Sequence, residues 1–212
     1  AHGAELGVAS VDHGLRIESQ DEVQRVGETA RLLGIPFHGL RLNLEAGANL
    51  SARARDGRRA VLTRLGFDFI ATGHHEDDQA ETVLHNMLRG SGARGLRGMQ
   101  LCDGQWVRPL LFEQRSVIEA WARSQGLQWE EDPSNPGSQR GRIRELMPQL
   151  DALHGGASRA LARSARLLAR EDALIDSMVD DAWNGLVSGE GISRSKLSEF
   201  HPALQLRILR RL

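Results

Sequence analysis

The chain has 212 residues, 40% of them hydrophobic and 26% charged, and a formal net charge of −1. That composition predicts a globular protein with one main domain of about 150 residues and a smaller appendage. No apolar run approaches the roughly 20 residues of a membrane span, Ala1–Glu5 lacks the basic and apolar regions of a secretory signal, and the single cysteine, Cys102, excludes an internal disulfide and fits a reducing, cytoplasmic setting.

Leu6–Val11 (LGVASV) predicts a strand that breaks into the polar turn Asp12-His13-Gly14. Asp21–Leu33 carries Val23, Val26, Ala30 and Leu33 at helical spacing and is stopped by Gly34 and Pro36. Phe37–Leu42 reads as a strand, Ser51–Leu65 as an arginine-rich helix ended by Gly66, and Phe67–Ala71 (FDFIA) as a buried strand closed by Thr72-Gly73. Asp77–Leu88 is helical in pattern. Trp106–Val107 is a short strand, Ser116–Ser124 a helix, and Leu127–Glu130 a last short strand. Strand and helix alternate with short turns, which predicts βα units in a doubly wound, mostly parallel sheet. Ligands bind such sheets beyond the carboxyl ends of the strands. The turns after Val11 and after Ala71 are therefore the candidate site.

Pro133–Gly141 is polar and reads as a linker. After it, Ser158–Trp183 places Leu161, Ala165, Leu168, Ile175 and Val179 on one helical side, Gly185–Gly191 reads as a loop, and Ala203–Leu212 is helical. The expected organisation is an α/β domain over 1–150 and a small all-α appendage over 151–212. The last helix is still apolar at Leu212, so the natural protein is expected to continue.

Of the 27 basic residues only Lys196 is a lysine. The arginines cluster at Arg53, Arg55, Arg58, Arg59 and Arg64, at Arg89, Arg94 and Arg97, and at Arg140, Arg142 and Arg144. Guanidinium forks suit phosphate. Genome composition would explain the preference for arginine over lysine, but not the clustering.

The segment richest in chemistry is Thr72-Gly73-His74-His75-Glu76-Asp77-Asp78-Gln79-Ala80-Glu81-Thr82. It follows a strand and opens a helix on which His75, Asp78 and Glu81 are spaced by threes, so they share a face. Acids in a first turn also suit the helix dipole. Neighbouring carboxylates can hold Mg²⁺ beside substrate phosphates or receive an amine. A solvated helix cap would account for an isolated Asp-Asp pair, and a zinc site is a further reading.

With Asp12-His13-Gly14-Leu15-Arg16, the Thr72–Thr82 segment, Arg89-Gly90-Ser91-Gly92 followed by Gly95-Leu96-Arg97-Gly98-Met99, then Arg108-Pro109-Leu110-Leu111 and Asp132-Pro133-Ser134-Asn135, the chain resembles the tRNA(Ile)-lysidine synthetases in motif order and spacing. The resemblance covers residues 4 to 150 closely and the helical remainder more loosely. It implies an N-type ATP pyrophosphatase fold. It also implies adenylation by ATP of the wobble cytidine of isoleucine tRNA with a CAU anticodon, at the C2 carbonyl. A lysine amine then displaces AMP, with Mg²⁺ as the metal.

By that resemblance His75, Asp78 and Glu81 are catalytic, with Glu81 contacting the lysine amino group and Asp78 orienting metal or substrate. Asp12, His13, Arg16, Thr72, Gly73, His74, Arg55 and Arg58 would bind the nucleotide. Arg89, Gly90, Ser91, Gly92, Arg108, Asn135, Arg142 and Arg144 would bind tRNA. The Arg89–Gly98 segment, with four glycines, reads as a flexible loop that can cradle phosphate through backbone N–H groups, or as a plain connection. Arg55 and Arg58 also fit a solvated helix face, and Asp132–Asn135 fits a turn.

The chain departs from the family pattern in three places. A Ser-Gly-Gly-x-Asp-Ser loop after a first strand is expected some 30 residues upstream of Ala1. Gly141 stands where the family usually has Asn, and Arg59 where it usually has an aromatic. Other functions of the same fold compete with this one. A tRNA 2-thiolation enzyme generally needs paired cysteines, and this chain has one. Ammonia-dependent amidating enzymes lack the arginine-rich helix. A non-catalytic tRNA-binding fragment is the reading from a different class.

Overall fold

The Val-Ala-Ser-Val-Asp run at residues 8 to 12 pairs with another short strand rather than standing alone. In a computed structural model, which describes residues 3–14, 19–44, 47–127, 129, 139–188 and 191–211, β1 (Val8–Asp12) lies parallel to β2 (Phe37–Arg41), in register from Val8 opposite Phe37 to Asp12 opposite Arg41. The helix between them, α1 (Ser19–Leu32), packs on both strands. Its first turn carries Asp21 and Glu22 and its last turn Arg31, matching the helix dipole at both ends. Gly27 is required for this βαβ packing, since a Cβ there would meet the Phe37 ring at 2.9 Å. The next helix, α2 (Leu50–Thr63), carries the first arginine cluster. The described chain forms two compact units, 1–70 and 71–212, and these elements belong to the first.

At the boundary lies β3 (Ile70–Ala71). The expected buried strand over Phe67–Ala71 is thus shorter and more exposed than its apolar residues suggest. Only its last two residues belong to a ladder, and Phe69 is 67% exposed. With β4 (Cys102–Asp103) and β5 (Trp106–Val107) it makes a sheet of order β3-β5-β4, in which β4 and β5 are antiparallel. Three helices follow the sequence expectation closely: α3 (Glu76–Leu88), α5 (Arg115–Ser124) and the 30-residue α7 (Ala157–Leu186). A short α4 (Ala93–Leu96) sits between α3 and β4.

The helix α6 (Gln139–Leu153) is absent from the sequence reading. Gly141 and Pro148 lie inside it and read as breakers, yet its apolar residues Ile143 and Met147 are buried against Ala80 and Leu84 of α3. Burial of that face outweighs the local propensities. The expected strand at Leu127–Glu130 falls partly on residues outside the described ones. Leu127 itself donates its N–H to the Ala122 carbonyl, closing α5. The expected loop at Gly185–Gly191 is the end of α7 followed by a hairpin of β6 (Val187–Ser188) and β7 (Gly191–Ile192). Finally α8 (Arg194–Leu197) and α9 (Pro202–Leu209) return to α7. Val179 and Leu186 of α7 bury Leu204 and Ile208 of α9 in a second apolar cluster.

Candidate functional site

The turn after β1 is built around Asp12, which is 5% exposed. Its carboxylate accepts hydrogen bonds from the Gly14 N–H at 2.7 Å and from the Ser19 hydroxyl at 2.5 Å, with the Arg41 guanidinium 3.7 Å away. The Ser19 hydrogen bond is the main reason its pKa falls below the ordinary carboxylate value, and the Gly14 bond adds to it against the cost of burial. Gly14 adopts a φ of +66°, as a turn closing on its own aspartate needs. Burial and the positive charge of Arg58 hold the His13 imidazole below its usual pKa, so it favours the neutral form. Its Nδ1 is buried with no hydrogen-bond partner among the described residues. The structure therefore brings Asp12, His13 and Arg58 together. Arg55 is exposed on α2, and Arg16 lies outside the described residues.

The turn after β3 starts with Thr72, whose N–H donates to the Val107 carbonyl at 2.9 Å and extends the ladder by one residue. Its hydroxyl lies 2.8 Å from His74 Nδ1, and Gly73 is exposed, with open space where a Cβ would stand. Helix α3 then begins at an N-cap, His75. The His75 N–H donates to Asp78 Oδ2 at 3.0 Å, and His75 Nε2 lies 3.4 Å from the same oxygen. One carboxylate thus caps the helix and faces an imidazole. Its neighbour Asp77 points elsewhere. With Glu76, Arg115, Asp151 and Arg159 it lines an open polar groove of about 710 Å³.

One turn further, Glu81 is 7% exposed and forms a two-pronged ion pair with Arg144 of α6, at 2.7 Å to Nε and 3.1 Å to Nη2. A residue expected to receive an amine and a residue expected to meet tRNA are therefore direct partners. Arg142, two residues earlier on α6, is exposed and does not share that face. Arg140 reaches the Thr82 hydroxyl at 3.4 Å. Near the end of α3 burial lowers the His85 pKa, and the charges of Arg89 and Arg140 lower it further. Asn135 lies outside the described residues.

The Arg89–Gly98 segment, expected as a loop from its glycines, contains the short helix α4 and is hydrogen-bonded to α3. Gln79, 3% exposed on α3, accepts from the Met99 N–H at 2.8 Å and donates to the Met99 carbonyl at 2.9 Å. The Asn86 side chain donates to the Gly95 carbonyl at 2.7 Å. Two side-chain amides therefore clamp the segment, leaving Arg89, Gly90 and Gly92 exposed and Ser91 half-buried. Arg108 is 5% exposed and donates to the Gln100 carbonyl at 2.6 Å, with Asp103 at 3.9 Å.

The sequence reading missed Asp172, the fully buried acid of α7, which pairs with Arg97 at 2.6 Å and with Arg207 of α9. The signal was present. Asp172 falls between Leu168 and Ile175 on the apolar side of α7, where an acid needs a partner.

Among the described residues no group of three or more His, Cys, Asp or Glu is placed to share a metal ion, which gives no support to a zinc site. Asp78 Oδ2 is engaged by the His75 N–H, and a partly open carboxylate of this kind has the chemistry to serve as one Mg²⁺ ligand.

Comparison with known proteins yields a consistent set of relatives. The model of the PP-loop domain family matches residues 1–150. The tRNA(Ile)-lysidine synthase of Novosphingobium aromaticivorans is 37% identical over 218 residues, covering 96% of this chain and 66% of that protein. The enzyme of the same name from Pseudomonas syringae pv. tomato is 40% identical over 177 residues, covering 79% of this chain and 40% of that protein. The chain thus spans less than two thirds of the length of either. Among solved structures, the U34-tRNA thiolase NcsA from Methanococcus maripaludis matches with a TM-score of 0.61 at 20% identity, over 76% of this chain and 61% of that one. That likeness shows the α/β fold alone.

Proposed function

Because the chain belongs to the PP-loop domain family and groups there with the tRNA(Ile)-lysidine synthases, we propose that it takes part in ATP-dependent lysidine formation on tRNA. In this reading the C2 oxygen of the wobble cytidine of isoleucine tRNA, with its CAU anticodon, attacks the α-phosphate of ATP and pyrophosphate leaves. The amine of lysine then attacks C2, and AMP leaves with the oxygen. The setting is cytoplasmic. Residues 1–150 carry the nucleotide chemistry and 151–212 the helices that face tRNA. No helix among the described residues is long and apolar enough to cross a membrane.

The observation that carries the reading is the contrast between two carboxylates three residues apart on α3. Asp78 is partly open and faces His75, and Glu81 is buried and charge-compensated by Arg144. The first suits an amine that must lose a proton and a Mg²⁺ that neutralises phosphate charge. The second suits an ammonium, which gains more from a carboxylate in a closed site than in water. A lysine ammonium would share Glu81 with Arg144 or take its place. Thr72, Gly73 and His74 are the candidate nucleotide contacts of the second unit, and Asp12, His13, Arg55 and Arg58 those of the first. Arg89, Gly90, Ser91, Gly92, Arg108 and Arg142 would serve the RNA.

The test, in a form that includes the Ser-Gly-Gly-x-Asp-Ser loop expected upstream of Ala1, follows labelled AMP transfer to tRNA and then labelled lysine incorporation. Glu81→Gln keeps the shape and removes the charge, so it should depress the lysine step more than the AMP step. Asp78→Asn should depress both. If Glu81→Gln leaves the lysine step intact and Asp78→Asn affects neither, the Thr72–Thr82 segment is only a helix start. A second reading on the same fold, tRNA thiolation, would have only the one exposed cysteine, Cys102, where such enzymes generally need a pair. The same product analysis separates the two by whether sulfur or lysine is incorporated.

A further inference from the structure

We propose that Asp172 is a positioning residue for the RNA substrate: from inside α7 it holds Arg97, and through it the Arg89–Gly98 segment, so that the exposed Arg89 and Arg94 face RNA phosphates in a preset geometry. The inference rests on the tRNA reading above for its ligand, and on the following geometry for the rest.

Asp172 is 0% exposed, and its two oxygens are divided between two arginines. Oδ2 accepts from Arg97 Nη1 at 2.6 Å, and Oδ1 accepts from Arg207 of α9. Asp176, one turn on, lies 3.6 Å from Arg97 and 3.3 Å from Arg207. Two acids therefore balance two guanidiniums. The Arg97 main chain is held as well, since its carbonyl accepts from Gln79 Nε2 at 3.4 Å. A continuous path of contacts runs from α3, the helix bearing His75, Asp78 and Glu81, through Gln79 and Arg97 to α7 and α9.

Core stability alone does not call for this arrangement. Position 172 continues the apolar side of α7 set by Leu161, Ala165, Leu168, Ile175 and Val179, and a well-packed apolar residue in place of a buried ion pair is often as stabilising. What an apolar residue cannot do is fix Arg97. The segment needs fixing because its glycines leave it locally free: Gly90 and Gly98 sit at φ of +72° and +64°. Anchored at Gly95 by Asn86, at Met99 by Gln79 and at Arg97 by Asp172, it presents two exposed arginines on a backbone that no longer has to be ordered by the RNA.

The experiment compares the wild-type chain with Asp172→Asn and Asp172→Leu, the latter chosen because leucine fits the apolar side of α7. Hydrogen exchange of the 89–98 amides reads the segment. Fluorescence anisotropy with isoleucine tRNA across a salt series reads the surface. Both variants should raise exchange in 89–98 while the core of α7 stays protected. Affinity at low salt should fall by roughly tenfold, and the salt slope should flatten by about one to two, the number of phosphates that Arg89 and Arg94 no longer meet. In a background of Arg89→Ala with Arg94→Ala, Asp172→Asn should weaken binding no further, since the residue acts through those arginines. Asp180→Asn, which removes the exposed partner of Arg211 on the same pair of helices, should change neither readout.

Unchanged exchange in 89–98 overturns the proposal, as does an affinity loss that persists in full without Arg89 and Arg94, because a general loss of folding would produce it. A wild type that binds no RNA, with 89–98 still loosened by Asp172→Asn, overturns the tRNA reading and the RNA role of Asp172 with it.

Discussion

Asp12 shows how one side chain can settle a turn. Its carboxylate holds Gly14 and Ser19, and those bonds keep its pKa below the unfolded value of about 3.9. A carboxylate depressed in the folded state contributes stability above the unfolded pKa, and that contribution is lost as pH falls through the folded one. Asp12→Asn should therefore lower stability by roughly 1.5–3 kcal/mol at pH 7, as for hydrogen bonds to a charged group. As pH falls through the depressed folded pKa the variant and the wild type should converge, and urea titrations at pH 7 and down the acid limb check this. Glu81 and Arg144 offer a second residue-scale test. Arg144→Gln leaves a buried carboxylate without its charge partner and should cost roughly 1–3 kcal/mol, discounted because Arg144 is half exposed. Adding Glu81→Gln should recover part of the loss. Additive costs in the double-mutant cycle would show that the pair is not coupled.

Among the elements, the βαβ start, α3, α5 and α7 were legible in the sequence because their apolar spacing agrees with their burial. Other elements were not, for identifiable reasons. Helix α6 contains Gly141 and Pro148, local breakers that tertiary burial of Ile143 and Met147 overrides. The Arg89–Gly98 segment looked loose because its clamps, Gln79 and Asn86, are amides on the preceding helix, and no spacing rule announces such a contact. The candidate run that opens α3 was legible as a helix start after a strand. The pairing of Glu81 with Arg144, 63 positions apart, belongs to packing alone. Gly98 tests the clamp at this scale. Its φ is +64°, and a Cβ would sit 2.6 Å from the Gln79 amide oxygen. Gly98→Ala should cost about 1–3 kcal/mol from backbone strain and displacement of a buried amide, read as a lowered thermal midpoint with faster exchange at Met99. A stability equal to the wild type would show that Gln79 is not holding the segment.

At the scale of the molecule, a net charge of −1 gives no general attraction to nucleic acid, so any RNA affinity must come from local arginines. Arg89→Ala and Arg142→Ala together should flatten the salt dependence of tRNA binding by about one unit for each phosphate no longer neutralised. An unchanged slope would make those clusters solvated faces. Lysine transfer to tRNA, with Glu81 taking part, is the proposal that reaches furthest at this scale. Lysine transfer is read by placing the gene for this chain, together with the phosphate-loop segment expected upstream of Ala1, in cells depleted of their own lysidine synthase and analysing digested isoleucine tRNA by mass spectrometry. The wild type should restore a cytidine carrying lysine at the wobble position, and Glu81→Gln, expressed to the same level, should not. An unmodified or thiolated nucleoside with the wild type, or full lysine incorporation with Glu81→Gln, would contradict it.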